Sequence, residues 1–321
     1  MNFIIESKLK ECNNNINSNT IRTYVTNIKT LMTILKSKDL NILYKDYENI
    51  INTIKKEYKS DNSQRNKFTA CNAIIRCLIT DDNKKDAEKA IKMYIKEVSI
   101  LREKIDAYLD THIKSEKEEE GWLTKKEEKL ITEKLFAKIP EEIENLNDLS
   151  KLRDYVLFVF YQNMPSRNDI VYAKFLYDDE VKDIDELSKD KKLNYIILKK
   201  EEKKVLYIMN NYKTSKKYKS QTLELENKLY DILLNYKDKM KPFNVDNWFI
   251  LSNKGKQVSK ESLTLIYSKL GSVIGKKTSI RTNRHIQVSQ NIDIEKMQKL
   301  AKMMGHDISI AFHNYCKKNK N

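Results

Sequence analysis

Glycine is almost absent from this chain: five glycines occur in 321 residues, and none of them precedes Gly121. Proline is rarer still, with three residues. β-Sandwiches, β-barrels and glycine-rich nucleotide-binding folds need glycine at tight turns and where the backbone approaches a phosphate. Because 40% of the residues are apolar, the chain can still bury sizeable cores. The shortage of glycine therefore predicts a mainly α-helical protein and argues against enzymes built on a nucleotide loop.

The first third of the chain carries four stripes of apolar residues at helical spacing. The stripes occupy residues 21–35, 43–58, 68–79 and 87–108. Only short polar breaks separate them, and short connections favour antiparallel neighbours. The pattern predicts a four-helix bundle, and we place the first, helical domain at residues 1–113.

The charged segment 114–121 (KSEKEEEG) has no apolar residue and contains the first glycine. We interpret it as a linker, although the solvated end of the preceding helix explains it equally well. Residues 122–321 then form a second domain, which opens with a capping-box pattern at Thr124. Helical segments alternate there with three predicted strands, at 194–199, 204–209 and 219–225. The expected fold is mainly α with a small antiparallel β-sheet.

An excess of basic residues indicates the class of partner. The chain has 61 Lys and Arg against 46 Asp and Glu, a formal net charge of +15 at pH 7. This favours a polyanion, nucleic acid first and an anionic membrane surface second. No apolar run reaches the roughly 18 residues of a membrane span, and residues 1–10 lack the regions of a signal peptide. The four cysteines have no zinc-like spacing, so we expect reduced thiols, no metal site and a cytoplasmic or nuclear protein.

The histidines are concentrated near the C-terminus, where three of the four occur from residue 285 onward. His306 follows Gly305 and an apolar helical stretch, and it precedes Tyr315 by nine residues. The pair Arg284-His285 lies about 20 residues upstream of His306. Each residue taken alone is more often an ordinary surface or core residue than a functional one. Their order and spacing together make them candidates for one site.

This order and spacing resembles the tyrosine recombinase (phage integrase-like) family. Arg167 follows a buried helical segment and opens the next element, as the first family arginine does. Residues 205–225 resemble the family's lysine-bearing β-hairpin, with Lys213 in the matching place. Residues 249–255 resemble the strand and turn that precede the last helices of the family. The resemblance covers residues 122–316, and the N-terminal helices are similar to the family's core-binding domain. It implies that residues 1–113 are a helical DNA-binding domain and that residues 122–321 are the catalytic domain.

The resemblance implies a site-specific DNA recombinase that cuts and rejoins DNA strands without metal, ATP or another cofactor. Tyr315 would attack phosphorus, forming a covalent 3′-phosphotyrosine and releasing a 5′-hydroxyl. Two guanidinium groups, those of Arg167 and Arg284, can fork onto the non-bridging oxygens and neutralise the developing charge. His306 would hydrogen-bond to the same oxygens, and Lys213 is the candidate general acid.

Two departures from the family pattern affect the expected chemistry and assembly. Arg281 stands where the family commonly has His or Lys; it can stabilise charge, but it cannot shuttle a proton near pH 7. Only six residues follow Tyr315, whereas many relatives carry a further helix that docks on a neighbouring subunit. Assembly would therefore use other surfaces, or the sequence is truncated.

The remaining predictions concern supporting residues and partners. We expect His285 to support the site, and nearby lysines to contact DNA phosphates: Lys216, Lys217, Lys219, Lys276 and Lys277. The implied partner is double-stranded DNA held in a clamp by a homo-tetramer on paired sites. Abundant Lys, Asn and Ile hint at an AT-rich genome, such as that of a virus or mobile element. Two alternatives stay open: a type IB topoisomerase-like relaxase, and a DNA-binding relative that has lost catalysis.

Overall fold

The computed structural model describes residues 2–12, 16–290 and 293–318. By its internal contacts the chain divides into two compact units, Met1–Thr111 and His112–Asn321. The predicted fold class is confirmed, since helices dominate and a single small sheet of four strands is present in the described part. None of the helices in these described ranges is long and apolar enough to cross a membrane.

The first unit is entirely helical in its described residues. Its helices are α1 (Asn2–Cys12), α2 (Ser18–Ile34), α3 (Ile42–Lys45), α4 (Tyr47–Glu57), α5 (Asp61–Arg76) and α6 (Lys84–Asp110). The core is built from the predicted apolar stripes, and Ile28, Phe68 and Tyr94 are completely buried. The prediction of four helices was wrong, because the described residues of this unit form six. Helix α1 has an apolar stripe too short to recognise in the sequence, and Asp46 divides the second stripe into α3 and α4.

The second unit surrounds a central helix, α9, with further helices. Its helices are α7 (Glu116–Gly121), α8 (Lys125–Phe136), α9 (Leu146–Asn163), α10 (Ile184–Leu187), α11 (Ser215–Tyr218), α12 (Tyr230–Met240), α13 (Lys260–Leu270), α14 (Ile280–Gln290), α15 (Ile294–Met304) and α16 (Ile308–Tyr315). Residues 156–161 of α9 are buried without interruption, which is why this segment is apolar almost throughout. Thr124 caps α8 through the predicted box with Glu127.

The sheet of the second unit is mixed, not purely antiparallel as predicted. Its strands are β1 (Ala173–Tyr177), β2 (Asn194–Lys199), β3 (Lys204–Met209) and β4 (Gln221–Glu224), in the order β1-β2-β3-β4. Strand β1, which the sequence did not reveal, pairs parallel with β2, and the other pairs are antiparallel. The loop between β3 and β4 contains α11 and the exposed Lys213.

The predicted linker, residues 114–121, contains the short helix α7 and belongs by its contacts to the second unit. Ser115 and Glu118 form a reciprocal capping box that starts this helix. Gly121 is needed for close packing: a β-carbon there would lie 2.7 Å from the carbonyl oxygen of Lys277. The assignment of separate roles to the two units stays a prediction.

Candidate active site

The predicted catalytic residues come from distant parts of the second unit. Arg167 lies four residues beyond the end of α9, and Arg281 and Arg284 lie on α14. His306 occupies the turn between α15 and α16, and Tyr315 is the last residue of α16. Arg167, Arg284, His306 and Tyr315 nevertheless meet in one cluster.

Tyr315 lies against Arg284 and His306. An Nη2–H of Arg284 donates a hydrogen bond to the Tyr315 hydroxyl, and the guanidinium carbon lies 4.3 Å from the centre of the phenol ring. The Tyr315 hydroxyl is 3.5 Å from Nε2 of His306. The same His306 nitrogen is 3.4 Å from Nη2 of Arg284. The phenol oxygen, one guanidinium and one imidazole nitrogen therefore face a common point.

Arg167 completes this cluster at the same nitrogen of His306. Its Nη2 lies 2.5 Å from His306 Nε2, and its Nη1 donates to the carbonyl oxygen of Met304 at 3.1 Å. Both guanidinium groups thus point donors at Nε2 of His306. Because a guanidinium has no acceptor, Nε2 must be the lone-pair nitrogen and the imidazole proton resides on Nδ1.

The environment of His306 keeps its imidazole neutral. Burial, together with the positive charges of Arg167, Arg284 and Lys213, lowers the pKa of His306 to about 4. At neutral pH its Nε2 is therefore unprotonated and lies 3.5 Å from the Tyr315 hydroxyl. In this tautomer Nε2 can only accept a hydrogen bond, whereas the sequence analysis expects His306 to donate one to the phosphate oxygens.

Arg284 is a buried cation without a matching anion. Arg284 is 6% exposed, and its Nε has no hydrogen-bond partner among the described residues. Among the residues that the structure describes, no Asp or Glu forms an ion pair with Arg284 or Arg167. Burial lowers the pKa of Arg284 to about 10, and the nearby charges of Arg167 and Arg281 act in the same direction, while Tyr315 opposes them. A buried cation with an unused donor is suited to bind an anion.

The Lys213 loop packs against the turn that contains His306. The Thr214 hydroxyl donates to the carbonyl oxygen of Gly305 at 2.7 Å. Lys217 and the Tyr218 hydroxyl both bind the carboxylate of Asp307, at 2.9 and 2.8 Å. Lys213 itself is exposed, and its charge is one of those that lower the pKa of His306. The loop thus keeps an exposed ammonium beside the cluster.

The predicted DNA-contacting lysines differ in what they contact within the protein. Lys216, Lys219 and Lys277 are exposed. Lys217 is paired with Asp307 as described, and Lys276 forms an ion pair of 2.8 Å with Glu127 and donates to the carbonyl oxygen of Trp122 at 2.7 Å. Their contact with DNA stays a prediction.

His285 is buried behind the cluster, with an exposed fraction of 1%. Its Nδ1 is 3.3 Å from the carbonyl oxygen of Tyr315, so it touches the backbone of the predicted nucleophile. Arg281, whose side chain is exposed, donates from Nε to Nε2 of His285 at 3.4 Å. Sequence reasoning missed two further neighbours: Glu118 lies 3.4 Å from His285 Nε2, and the Ser289 hydroxyl donates to the Tyr315 carbonyl at 3.3 Å.

No metal site accompanies this cluster in the part of the chain that is described, where no three His, Cys, Asp or Glu side chains are grouped to hold an ion. Comparison with known proteins gives little further guidance. No family model matches the sequence, and no curated protein matches it. Among solved structures, the chain is similar to the crystal structure of XerA recombinase, with 14% identity, coverage of 99% of this chain and 94% of that chain, and a TM-score of 0.42. Similarity at this level does not establish a family, so the functional assignment depends on the site itself.

Proposed function

We propose that this protein is a site-specific DNA recombinase that cuts and rejoins strands by transesterification through Tyr315. One observation carries the proposal. A tyrosine hydroxyl, a neutral imidazole and two arginines converge in the second unit, and the buried Arg284 has a donor without an acceptor. A phosphodiester supplies the missing anion, and the phenol is a nucleophile for its phosphorus.

The first step forms one bond to phosphorus and breaks another. The Tyr315 oxygen attacks the scissile phosphorus while its proton passes to His306 Nε2. The bond from phosphorus to the 5′ oxygen breaks, and Lys213 donates the proton that makes a 5′-hydroxyl. The products are a 3′-phosphotyrosyl linkage and a free 5′-hydroxyl. Because the linkage retains the energy of the broken strand, an incoming 5′-hydroxyl reverses the step without ATP.

The arginines supply electrostatic stabilisation in this scheme. Arg167 and Arg284 transfer their donors from His306 and Tyr315 to the non-bridging oxygens of the bound phosphate. This exchange leaves His306 Nε2 free to accept the phenol proton. Arg281, which is exposed next to the cluster, adds positive charge but no proton transfer. Preformed donors of this kind stabilise a transition state because they need no reorganisation as charge develops.

The DNA partner is supported by the charge of the chain. A net charge of +15 and the exposed lysines Lys216, Lys219 and Lys277 are suited to contacts with the phosphate backbone. We assign the first unit to DNA binding and the second to catalysis, with strand exchange in an assembly on paired sites.

The decisive experiment traps the covalent intermediate without knowledge of the target sequence. A library of random-sequence duplexes carries a sulfur atom in place of the bridging 5′ oxygen at one fixed position. The 5′-thiol released by cleavage is a poor nucleophile for phosphorus, so the adduct accumulates and is isolated under denaturing conditions. We expect adducts with the natural protein and none with Tyr315→Phe, and sequencing of the captured strands would define the preferred site.

The outcomes separate the candidate functions. DNA binding without any adduct above the Tyr315→Phe background would contradict the catalytic assignment and leave a DNA-binding protein. Adduct formation together with relaxation of supercoiled plasmid, but without exchange between two copies of the selected site, would instead identify a topoisomerase-like enzyme.

A further inference from the structure

Lys213 lies at the start of a loop that contains one helical turn, α11. Two amides of this turn donate to the carbonyl oxygen of Thr214, at 3.0 and 3.1 Å. The Tyr212 hydroxyl donates to the carbonyl oxygen of Lys219 at 2.7 Å and so joins the two ends of the segment. Because a single helical turn is not stable by itself, the loop depends on its attachments to the rest of the second unit.

The loop is attached to the residues on both sides of His306 in the chain. Before the histidine, the carbonyl oxygen of Gly305 accepts from the Thr214 hydroxyl at 2.7 Å. After it, Oδ2 of Asp307 accepts from the Tyr218 hydroxyl at 2.8 Å. These attachments hold the first and the last residue of the helical segment, so a shift of the loop would break at least one of them.

The Asp307 carboxylate binds the loop as a charged group. Its Oδ2 also pairs with the Lys217 ammonium at 2.9 Å. The hydrogen bonds from Lys217 and Tyr218 lower the pKa of Asp307, which therefore stays ionised at neutral pH. Since both members of the ion pair are largely exposed, the pair alone contributes little. The bond from the Tyr218 hydroxyl to an ionised carboxylate is charge-assisted and stronger than a neutral one.

Asp307 is also the N-cap residue of α16, yet its carboxylate does not cap that helix. Among the described residues, the side chain accepts no hydrogen bond from the first amides of α16. An aspartate at this position normally accepts from the second or third amide of the helix. The side chain of Asp307 is engaged with the loop instead, so it joins the loop to the start of the helix that ends at Tyr315.

From these contacts we propose that Asp307 is a positioning residue, which holds the Lys213 loop against the turn that contains His306. The inference rests on the proposed function, since Lys213 is the general acid of that reaction. A general acid must lie within hydrogen-bond reach of the leaving oxygen, so a loop released from Asp307 would present its ammonium there less often. The Thr214 attachment would remain, so the loss should be smaller than that caused by removing Lys213.

Two serine substitutions separate this role from the change in charge. Asp307→Ser withdraws the carboxylate from the loop but keeps a residue that caps helices about as well as aspartate. The matched control is Asp183→Ser, at an exposed N-cap aspartate whose carboxylate binds an amide of its own helix, α10. Both variants gain one unit of positive charge, so a general effect of charge on DNA binding is common to them.

The leaving atom of the substrate reports whether the effect passes through the general acid. A bridging sulfur leaves as a thiolate and needs no proton, whereas a bridging oxygen needs one. A nick shortly downstream of the scissile phosphate lets the released strand diffuse away, so adduct accumulates on both substrates. At saturating DNA, we expect Asp307→Ser to slow adduct formation by about 10-fold with oxygen and less than about 2-fold with sulfur.

The control Asp183→Ser should match the natural protein on both substrates. An equal loss on both substrates for Asp307→Ser would place its effect on the attack by Tyr315, through α16, and would overturn the proposal.

Tyr218→Phe tests the same contact without changing a charge, because it removes only the hydroxyl that donates to Asp307. We expect a loss confined to the oxygen substrate. The double variant Asp307→Ser/Tyr218→Phe should be no slower than Asp307→Ser alone, since both changes break one contact. An unchanged rate for Tyr218→Phe, or losses that multiply in the double variant, would contradict the proposal.

Amide hydrogen exchange in the free protein follows the loop without catalysis. We expect Asp307→Ser, and not Asp183→Ser, to accelerate exchange at residues 217–219, whose amides close the turn of α11. Unchanged exchange there would overturn the inference even if the natural protein formed no adduct, a result that would count against the proposed function alone. Adduct formation by the natural protein, with the same ratio of oxygen to sulfur rates in Asp307→Ser, would contradict the inference while the proposed function stands.

Discussion

Arg284 donates a hydrogen bond to the hydroxyl of Tyr315 and lies over the ring of the same tyrosine. This pairing gives a buried cation an electron-rich partner. The Nε of Arg284 still lacks an acceptor. A bound phosphate would satisfy this donor, so its binding should be favoured by a hydrogen bond that the free protein leaves unmade.

Two buried arginines of the second unit should respond oppositely to replacement by methionine. Arg284→Met removes a buried charge without a carboxylate partner, so we expect the thermal midpoint to rise by a few degrees while adduct formation is lost. Arg153, also buried, is paired with Asp154 and donates to the Leu251 carbonyl, so Arg153→Met should lower the free energy of unfolding by about 3 kcal/mol. Calorimetry of the two variants checks both signs, and a lower midpoint for Arg284→Met would contradict the account of its charge.

Lys213 should be required only when the leaving group needs a proton. We expect Lys213→Ala to slow cleavage of an ordinary phosphodiester by about 100-fold or more, the usual contribution of a general acid. A 5′-bridging sulfur leaves as a thiolate and needs no proton, so the same variant should cleave that substrate at nearly the natural rate. Both substrates carry the same selected DNA sequence and differ only in the bridging atom, oxygen or sulfur.

Lys216→Ala is the matched control for this experiment, because Lys216 is an exposed lysine three residues away in the same loop. It should weaken DNA binding equally on both substrates. If the sulfur substrate failed to rescue Lys213→Ala but rescued Lys216→Ala, the general acid would have to be reassigned.

The buried His285 should make the protein less stable in acid. Its pKa is about 4 in the folded state, below the ordinary value of 6.5, so the unfolded state binds more protons between these values. The folded state therefore loses stability as pH falls from about 6.5 toward 4. His285→Asn keeps a donor for the Tyr315 carbonyl but does not titrate. Its free energy of unfolding should therefore fall by up to about 3 kcal/mol less than that of the natural protein over this range, at about 1.4 kcal/mol per pKa unit. Denaturant unfolding at pH 7.5 and 4.5 measures the difference; parallel losses in both proteins would count against a neutral, buried imidazole.

The cluster was predicted because its order and spacing resemble the tyrosine recombinase pattern, and the structure shows how that spacing is used. Arg284 and His306 are separated by 22 positions, which the structure uses for the rest of α14, a short connection and α15. His306 and Tyr315 are nine positions apart: His306 lies in the turn before α16, and Tyr315 is the last residue of α16. Residues on consecutive short helices meet when those helices pack together, which is why a pattern of spacings along the chain can correspond to one site.

Other contacts left no signal that a single sequence can show. Glu118 stands in a run of charged residues that looks fully solvated, and only the packing of α7 brings it to His285. Strand β1 is only five residues long. Because it pairs parallel with β2 across a longer connection, the sequence around it lacks the turn pattern of a β-hairpin. The neutral state of His306 was also hidden, because it depends on burial and on three cations from separate elements.

Gly305 should be the least replaceable glycine near the site. It has a φ of 65°, and a β-carbon would lie 2.7 Å from a ring carbon of Tyr212 and 2.9 Å from Oγ1 of Thr214. Gly275 has a similar φ of 77°, and a β-carbon there would meet no atom of the described residues within 4 Å, so Gly275→Ala isolates the backbone cost, about 1 kcal/mol. We expect Gly305→Ala to be more destabilising and to displace the Lys213 loop from His306. Cleavage of the oxygen substrate should then fall more than cleavage of the sulfur substrate, whereas Gly275→Ala should affect neither. Equal rates on both substrates for Gly305→Ala would show that the loop does not depend on this turn.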